Sequence, residues 1–280
     1  MRLILASQSP RRREMLALMG YAYEIVVSDA DEHVPPCAPG AFVERLALRK
    51  AEAVFASYGD CCVVGADTIA YLDGSIIGKP ADASDAFRIL RTLSGRTHTV
   101  YTGVAVLTGT RRIVFHDAAE VTFAPLSDEE IHAYIATGEP LDKAGAYGIQ
   151  GPGSLLVERL EGCYFTIIGM PNPKLYRALR SVGILPEWME NYVKMALLPR
   201  DKFDVSNLSA LIELSDEAFN PLANAALTWI QDMNWPVAPI MLSVLQKHEA
   251  ILADPISEVF SGNDFIWQVN ICLLYTSDAA

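Results

Sequence analysis

The sequence is poor in the signatures that announce a metal centre, a cofactor or a membrane. Its five cysteines, Cys37, Cys61, Cys62, Cys163 and Cys272, are odd in number and show no C-x-x-C spacing. Neither a disulfide framework nor a zinc site is supported, and a reducing, cytoplasmic setting is expected. Its five histidines, His33, His98, His116, His132 and His248, are scattered and form no H-E-x-x-H pair. There is no G-x-S-x-G elbow and no G-x-G-x-x-G fingerprint, so serine-hydrolase and dinucleotide folds are unsupported. No run reaches the ~18 apolar residues of a spanning helix. After Arg2 the apolar run is interrupted by Gln8, Ser9 and three arginines, so no signal peptide is expected. Positive charge is short as well, with 22 Lys and Arg against 34 Asp and Glu and a net charge of -12. A chain without a basic footprint is a poor match for duplex DNA or RNA.

What is present is enough apolar material, 51% of 280 residues, to bury one or two cores. Residues 1–186 alternate strand and helix signals. A short buried strand, Arg2 to Ala6, precedes Pro10, which suits the first position of a helix ending at Gly20. "YEIVVS" (23–28) reads as a second strand, and "AFVERLALRKAEAVFASYG" (41–59) as an amphipathic helix. "CCVVGADTIAYLDGSIIGKP" (61–80) reads as strand, tight break, strand, Asp-Gly hairpin and strand. A capped helix over 82–95, a two-stranded ribbon over 98–126 and a helix opened by the capping box Ser127–Glu130 follow. A hairpin over 153–170 and a closing helix over 172–183 complete the pattern. Together these argue an α/β fold with a mixed, curved sheet and flanking helices.

Strand signals fade after Pro186. Residues 191–272 read as a small all-α domain, and residues 191–280 carry four Lys and Arg against eleven Asp and Glu. Trp229, Trp235 and Pro236 read as core and helix-start residues, with Asp232 and Asn234 capping a helix near Pro236. The last residues, 273–280, do not continue the helical pattern and are expected to be a non-native or unstructured tail.

Chemistry concentrates in the first part. "LILASQSPRRREML" (3–16) puts Arg11, Arg12 and Arg13 where a helix begins. Basic residues there oppose the helix dipole, yet free N–H groups, guanidinium forks and the Ser7 and Ser9 hydroxyls together make an anion site. The plainer alternative is that the arginines are solvated or pair with Asp29 and Asp31. "VVGADT" (63–68) delivers Asp67 from an apolar strand, where a carboxylate needs a cation or metal to offset desolvation. It reads as a Mg²⁺ ligand or general base, or as a turn cap. "GSIIGKP" (74–80) is not a phosphate loop, being one residue short and ending in Pro80. Lys79 and Lys50 are phosphate ligands or ordinary surface lysines. "EPLDKAGAYGIQGPGS" (139–154) is a glycine-rich loop in which Gln150 could read a base edge with an amide that both donates and accepts.

In order and spacing, "LILASQSPRRREML", "LALRKA", "VVGADTI", "IGKP", "LSGRTHTVYTGVAV" and "GEPLDKAGAYGIQG" resemble the Maf family of nucleoside triphosphate pyrophosphatases, over residues 1 to about 185. The resemblance implies a fold related to the inosine-triphosphate pyrophosphatases with a two-lobed cleft. It implies hydrolysis of a nucleoside triphosphate to the monophosphate and pyrophosphate with a divalent cation, Mg²⁺ or Mn²⁺, and homodimers. Carried over by position, Asp67, Lys50 and Lys79 are the catalytic set, and Glu32 with Asp67 holds the metal. Ser7, Arg11, Arg12, Thr68 and Gln150 bind substrate, and the last three select the base. "GADT" and "AYGIQG" look like the branch that prefers dTTP and UTP, or modified pyrimidine nucleotides, over the branch acting on 7-methyl-GTP. A nucleotide-binding regulator of cell division, with incidental hydrolysis, is the alternative. The run "WIQDMNWPVA" resembles a small helical family of unknown function, so the second domain is either a protein-binding module or a passenger.

Overall fold

The computed structural model of the protein describes residues 1–275. The chain divides into two compact units, one from Met1 to Pro186 and one from Glu187 onward. Among the described residues, no helix is long and apolar enough to cross a membrane.

The first unit is α/β. In chain order it contains β1 (Arg2–Ala6), α1 (Pro10–Leu18), β2 (Glu24–Ile25), α2 (Pro39–Tyr58), β3 (Cys61–Leu72), β4 (Ser75–Ile77) and α3 (Ala83–Leu93). There follow β5 (Thr97–Leu107), β6 (Arg112–Phe123), α4 (Asp128–Ala136), β7 (Val157–Gly162), α5 (Tyr164–Ile168) and α6 (Asn172–Ser181). The seven strands form one mixed sheet in the order β2-β1-β3-β5-β6-β7, with β4 paired to β3. β1 runs parallel to β2 and β3, and the remaining pairs are antiparallel.

β3 explains why "CCVVGA" reads as a continuous apolar run. Both faces of the sheet are covered there, so alternation gives no polar side. Cys62, Val64 and Ala66 pack with α1 and α6 residues such as Leu16, Leu175 and Leu179. Cys61 and Val63 pack with Ala47, Ala51 and Val54 of α2. Gly65 and Gly103 lie on this second face. A Cβ on Gly65 would collide with the carbonyl oxygen of Ala47, and one on Gly103 with the backbone of Val43. The two glycines let α2 settle directly on β3 and β5.

Four local expectations change. β3 is one strand of twelve residues without a break at Gly65, because that glycine serves helix packing and leaves the ladder intact. The strand expected over 23–28 shrinks to Glu24–Ile25 at the sheet edge, with Val27 half exposed. The hairpin expected over 153–170 is a strand followed by a helix. Thr166 and Ile168 bury one side of α5, and Gly169, at φ +107°, turns the chain out of it. The glycine-rich stretch is not an open loop but three short 3-10 turns, Glu139–Asp142, Ala144–Ala146 and Gly151–Leu156. The capping box of α4 forms as the sequence dictates, with Ser127 and Glu130 bonding reciprocally.

The second unit is helical and opens with the helix Glu187–Met195, earlier than the expected residue 191. Its core gathers Leu208, Leu211, Phe219, Leu222, Leu227, Ile230, Met241, Val244 and Leu245. Trp229 and Trp235 pack edge to face, 6.0 Å apart, against that core. The cap expected near Pro236 is absent: the helix begins at Ala238 with no side-chain cap, and Asp232 instead binds the amide of Asn234. Leu273–Tyr275 is a 3-10 turn whose Leu274 is buried in the core. That part of the expected tail is therefore structured, and residues 276–280 lie outside the described residues.

Candidate active site

The alternation along β3 decides what its last polar residues meet. Asp67 shares a face with Cys61, Val63 and Gly65, and therefore points toward α2. Lys50 of α2 meets it at 2.6 Å, with both side chains largely buried. Thr68, one residue on, faces the other way, toward α1. There the Arg12 guanidinium donates to its hydroxyl at 3.0 Å. One dipeptide thus feeds two separate contacts at the mouth of the same cleft.

That cleft encloses about 710 Å³. It is lined by Ser7, Arg11, Arg12, Glu32, Lys50, Asp67, Thr68, Lys79 and Gln150, whereas Arg13 of the same arginine cluster does not line it. Lysine and arginine side chains are Arg11, Arg12, Lys50, Lys79 and Lys143, and the carboxylates are Glu14, Glu32, Asp67, Glu139 and Asp142. Several of these charges compensate each other. Lys50 pairs with Glu32 at 3.0 Å as well as with Asp67. Asp142 pairs with Lys143 at 2.7 Å and with Arg11 at 3.7 Å. Among the described residues, Arg12 and Lys79 line the cleft with no ion-pair partner, so both guanidinium and ammonium are open to an anion.

At the start of α1 the first turn holds no acidic residue and the Ser9 cap makes no side-chain bond. Ser7 is buried, and its Oγ accepts from the Ser9 amide at 3.1 Å and from Arg12 at 3.4 Å. With both lone pairs engaged, its own proton remains to be donated to an anion. Arg12 Nε also donates to the Gly169 carbonyl at 3.0 Å. Burial pulls the Arg12 guanidinium below its ordinary value, with Asp67 opposing and Arg11 adding to the fall. The pairing of the arginines with Asp29 and Asp31 does not occur. Arg11 pairs with Asp142 instead, and Asp31 pairs with Arg49.

Four charged cleft residues have no role in the sequence reading: Glu14, Glu139, Asp142 and Lys143. Lys143 Nζ donates to the Glu139 carbonyl at 2.6 Å, which ties the glycine-rich turns to the site. For Asp142, burial pushes the carboxyl up, but Lys143 and Arg11 outweigh it and hold it below its usual range. The dense charge in "GEPLDK" was the available signal, and it was masked by a loop-like composition. Behind the cleft wall, Tyr147 is held by the buried His98 at 2.9 Å.

Among the described residues, no group of three or more His, Cys, Asp and Glu side chains could hold a metal ion. Glu32 and Asp67 nevertheless converge on one ammonium, that of Lys50. Mg²⁺ is commonly held by one or two carboxylates together with substrate phosphates rather than by an all-protein cage. The pair fits a divalent cation that arrives with a polyphosphate.

The family described as Maf-like protein matches residues 2–182. A dTTP/UTP pyrophosphatase of Bacillus cereus is 47% identical over 184 residues, covering 65% of this chain and 96% of that protein. One of Bacillus cytotoxicus is 48% identical over 178 residues, covering 63% and 93%. The structure of the Staphylococcus aureus Ham1 protein aligns with a TM-score of 0.34 at 13% identity, over 44% of this chain and 72% of that one, a likeness too slight to bear weight. Residues 197–279 match a domain of unknown function, DUF5071.

Proposed function

The chain belongs to the Maf-like family, and from that premise we propose that it is a hydrolase converting nucleoside triphosphates to the monophosphate and pyrophosphate. dTTP and UTP, or modified pyrimidine nucleotides, are its substrates, in a house-cleaning role. The support is the near-full-length match to dTTP/UTP pyrophosphatases, joined to one observation. Residues spread from Ser7 to Gln150 line a single cleft in which Arg11, Arg12, Lys50 and Lys79 come together with Glu32 and Asp67.

The chemistry follows from that arrangement. Water must attack the α-phosphorus, the bond to the bridging oxygen breaks, and pyrophosphate leaves. The obstacle is negative charge on the attacked group and on the leaving group. Arg11, Arg12, Lys79 and the amides opening α1 neutralise phosphate oxygens, and Ser7 donates its free proton to one of them. Lys50 holds one oxygen of Asp67, which leaves the other to accept a hydrogen bond from the attacking water and take its proton. Glu32 and Asp67 would hold Mg²⁺ or Mn²⁺, which when bound adds charge neutralisation at the phosphates. Gln150 and Thr68 face the base. A homodimer belongs to the same reading. So does a cytoplasmic setting, which five unpaired cysteines support.

The test is pyrophosphate release from a panel of nucleoside triphosphates with and without divalent metal. Asp67→Asn should lower turnover on dTTP and UTP by on the order of 10³-fold. The thermal midpoint should hardly move, because Lys50 keeps Glu32. Near-normal release by that variant would remove Asp67 from the mechanism.

A further inference from the structure

Thr68 and Thr102 are direct cross-strand partners on β3 and β5. Their hydroxyl oxygens lie 2.9 Å apart. Thr102 is fully buried, and its hydroxyl donates to the main-chain carbonyl of Thr166 in α5 at 2.7 Å. A hydroxyl owns one proton. Thr102 has given its own to Thr166, so in the contact between the two threonines Thr68 must be the donor. Thr68 has then spent its proton as well, and Arg12 occupies one of its lone pairs. What Thr68 offers the cleft is a single lone pair, which can accept and cannot donate.

The geometry points to Thr102 as a specificity-determining positioning residue: by fixing the direction of the Thr68 hydroxyl, it makes the cleft select a base edge bearing a ring N–H, as in uracil and thymine, over cytosine. This inference rests on the proposed pyrophosphatase reading and names what sets its base preference. The two pyrimidine classes differ in polarity at this edge. Uracil and thymine present an imide N–H between two carbonyls, whereas cytosine presents a bare ring nitrogen beside an amino group. An acceptor fixed by the fold meets the first with a hydrogen bond and leaves the second with two lone pairs opposed. Gln150 cannot make this choice by itself. Its amide has both polarities and no protein partner among the described residues, so rotation by half a turn suits either base.

The order of the protons is anchored beyond Thr102. The acceptor at its far end is a peptide oxygen of a helix that packs on β5 and β6, and a peptide oxygen cannot reverse its role. The Thr166 hydroxyl donates separately to Asp117 at 2.5 Å, and Lys174 pairs with Asp117 at 2.6 Å. Burial raises the Asp117 carboxyl, but the Lys174 and Thr166 hydrogen bonds outweigh it and keep it an acceptor.

The experiment compares kcat/KM for UTP and CTP in the full chain and in Thr102→Val and Thr102→Ser, with thermal midpoints recorded alongside. Valine keeps the volume and deletes the hydroxyl, freeing Thr68 to turn its proton toward the cleft. The UTP-over-CTP ratio should fall about tenfold in Thr102→Val, chiefly through KM, and recover in Thr102→Ser. A second probe needs no variant: 3-methyl-UTP, whose ring nitrogen carries a methyl in place of hydrogen, should be cleaved about tenfold less efficiently than UTP by the wild-type protein. An unchanged ratio in Thr102→Val, a loss in Thr102→Ser as large as in the valine variant, or equal cleavage of UTP and 3-methyl-UTP would overturn the inference. No pyrophosphate from UTP itself would overturn the proposed function, and the inference with it.

Discussion

The two units bury polar groups in opposite ways. In the first, Ser7, His98, Thr102, Thr166 and Asn172 are buried, and three of them lead to the cleft. In the second, among the described residues, His248 is the buried polar side chain. It stacks on Phe219 with ring centroids 4.2 Å apart, and its nitrogens meet Asp216 at 2.7 Å and the Leu211 carbonyl at 3.1 Å. That arrangement is closed and leaves nothing to offer a ligand. The first unit contains the opposite case: Ser7 and Thr68 keep a free proton or lone pair at the cleft wall. Burying polar groups costs stability unless each is paired. A fold that leaves some of them half-paired beside a cavity has exchanged stability for binding.

The sharpest way to press this comparison is to damage the helical core alone. Phe219→Ala should destabilise the second unit by about 4 kcal/mol, seen as an earlier thermal transition, with turnover on UTP unchanged. Loss of turnover in step with that transition would show that the two units are not independent in function.

Damage to the first unit should not separate in this way. Gly103→Ala forces a Cβ into the backbone of Val43, and should cost at least about 3 kcal/mol by pushing α2 off the sheet. Lys50 rides on α2, so kcat should fall even below the melting range. A variant with normal kcat would mean that the Lys50–Asp67 distance does not depend on this close approach.

The smallest expected effect concerns pH. Burial pushes the His98 imidazole down to about 4, against about 6.5 in an unfolded chain. The folded state then binds fewer protons than the unfolded state between these values. Stability is fully present above about pH 6.5, and falls as pH drops from there toward 4 by up to about 3 kcal/mol. Thermal midpoints of the full chain and of His98→Phe across this window check it. The variant should lose the part of the slope that belongs to His98, while depressed carboxylates such as Asp117 and Asp142 keep theirs, and an unchanged slope would free His98 from it.

Much of the site was legible before any fold was known. Arg11 and Arg12 after Pro10, the aspartate in an apolar strand and the lysine after "IG" lie in one cleft. Glu139, Asp142 and Lys143 escaped because short 3-10 turns look like loop in a glycine-rich composition. The strand-then-helix at 157–168 reads as part of a hairpin because "CYFTII" is rich in β-branched and aromatic residues. Burial of one side against β5 and β6 outweighed that local preference.

The sequence by itself determined the period-2 alternation of β3, and with it that Asp67 and Thr68 must face opposite sides of a sheet buried on both. It also determined where helices start, through Pro10 and Ser127, since caps act within a few residues. Only the tertiary structure decided which partners those side chains meet. Arg12 reaches Gly169 across 157 positions and Thr68 reaches Thr102 across 34. Contacts at such separations are set by strand register and helix packing, which no local pattern encodes.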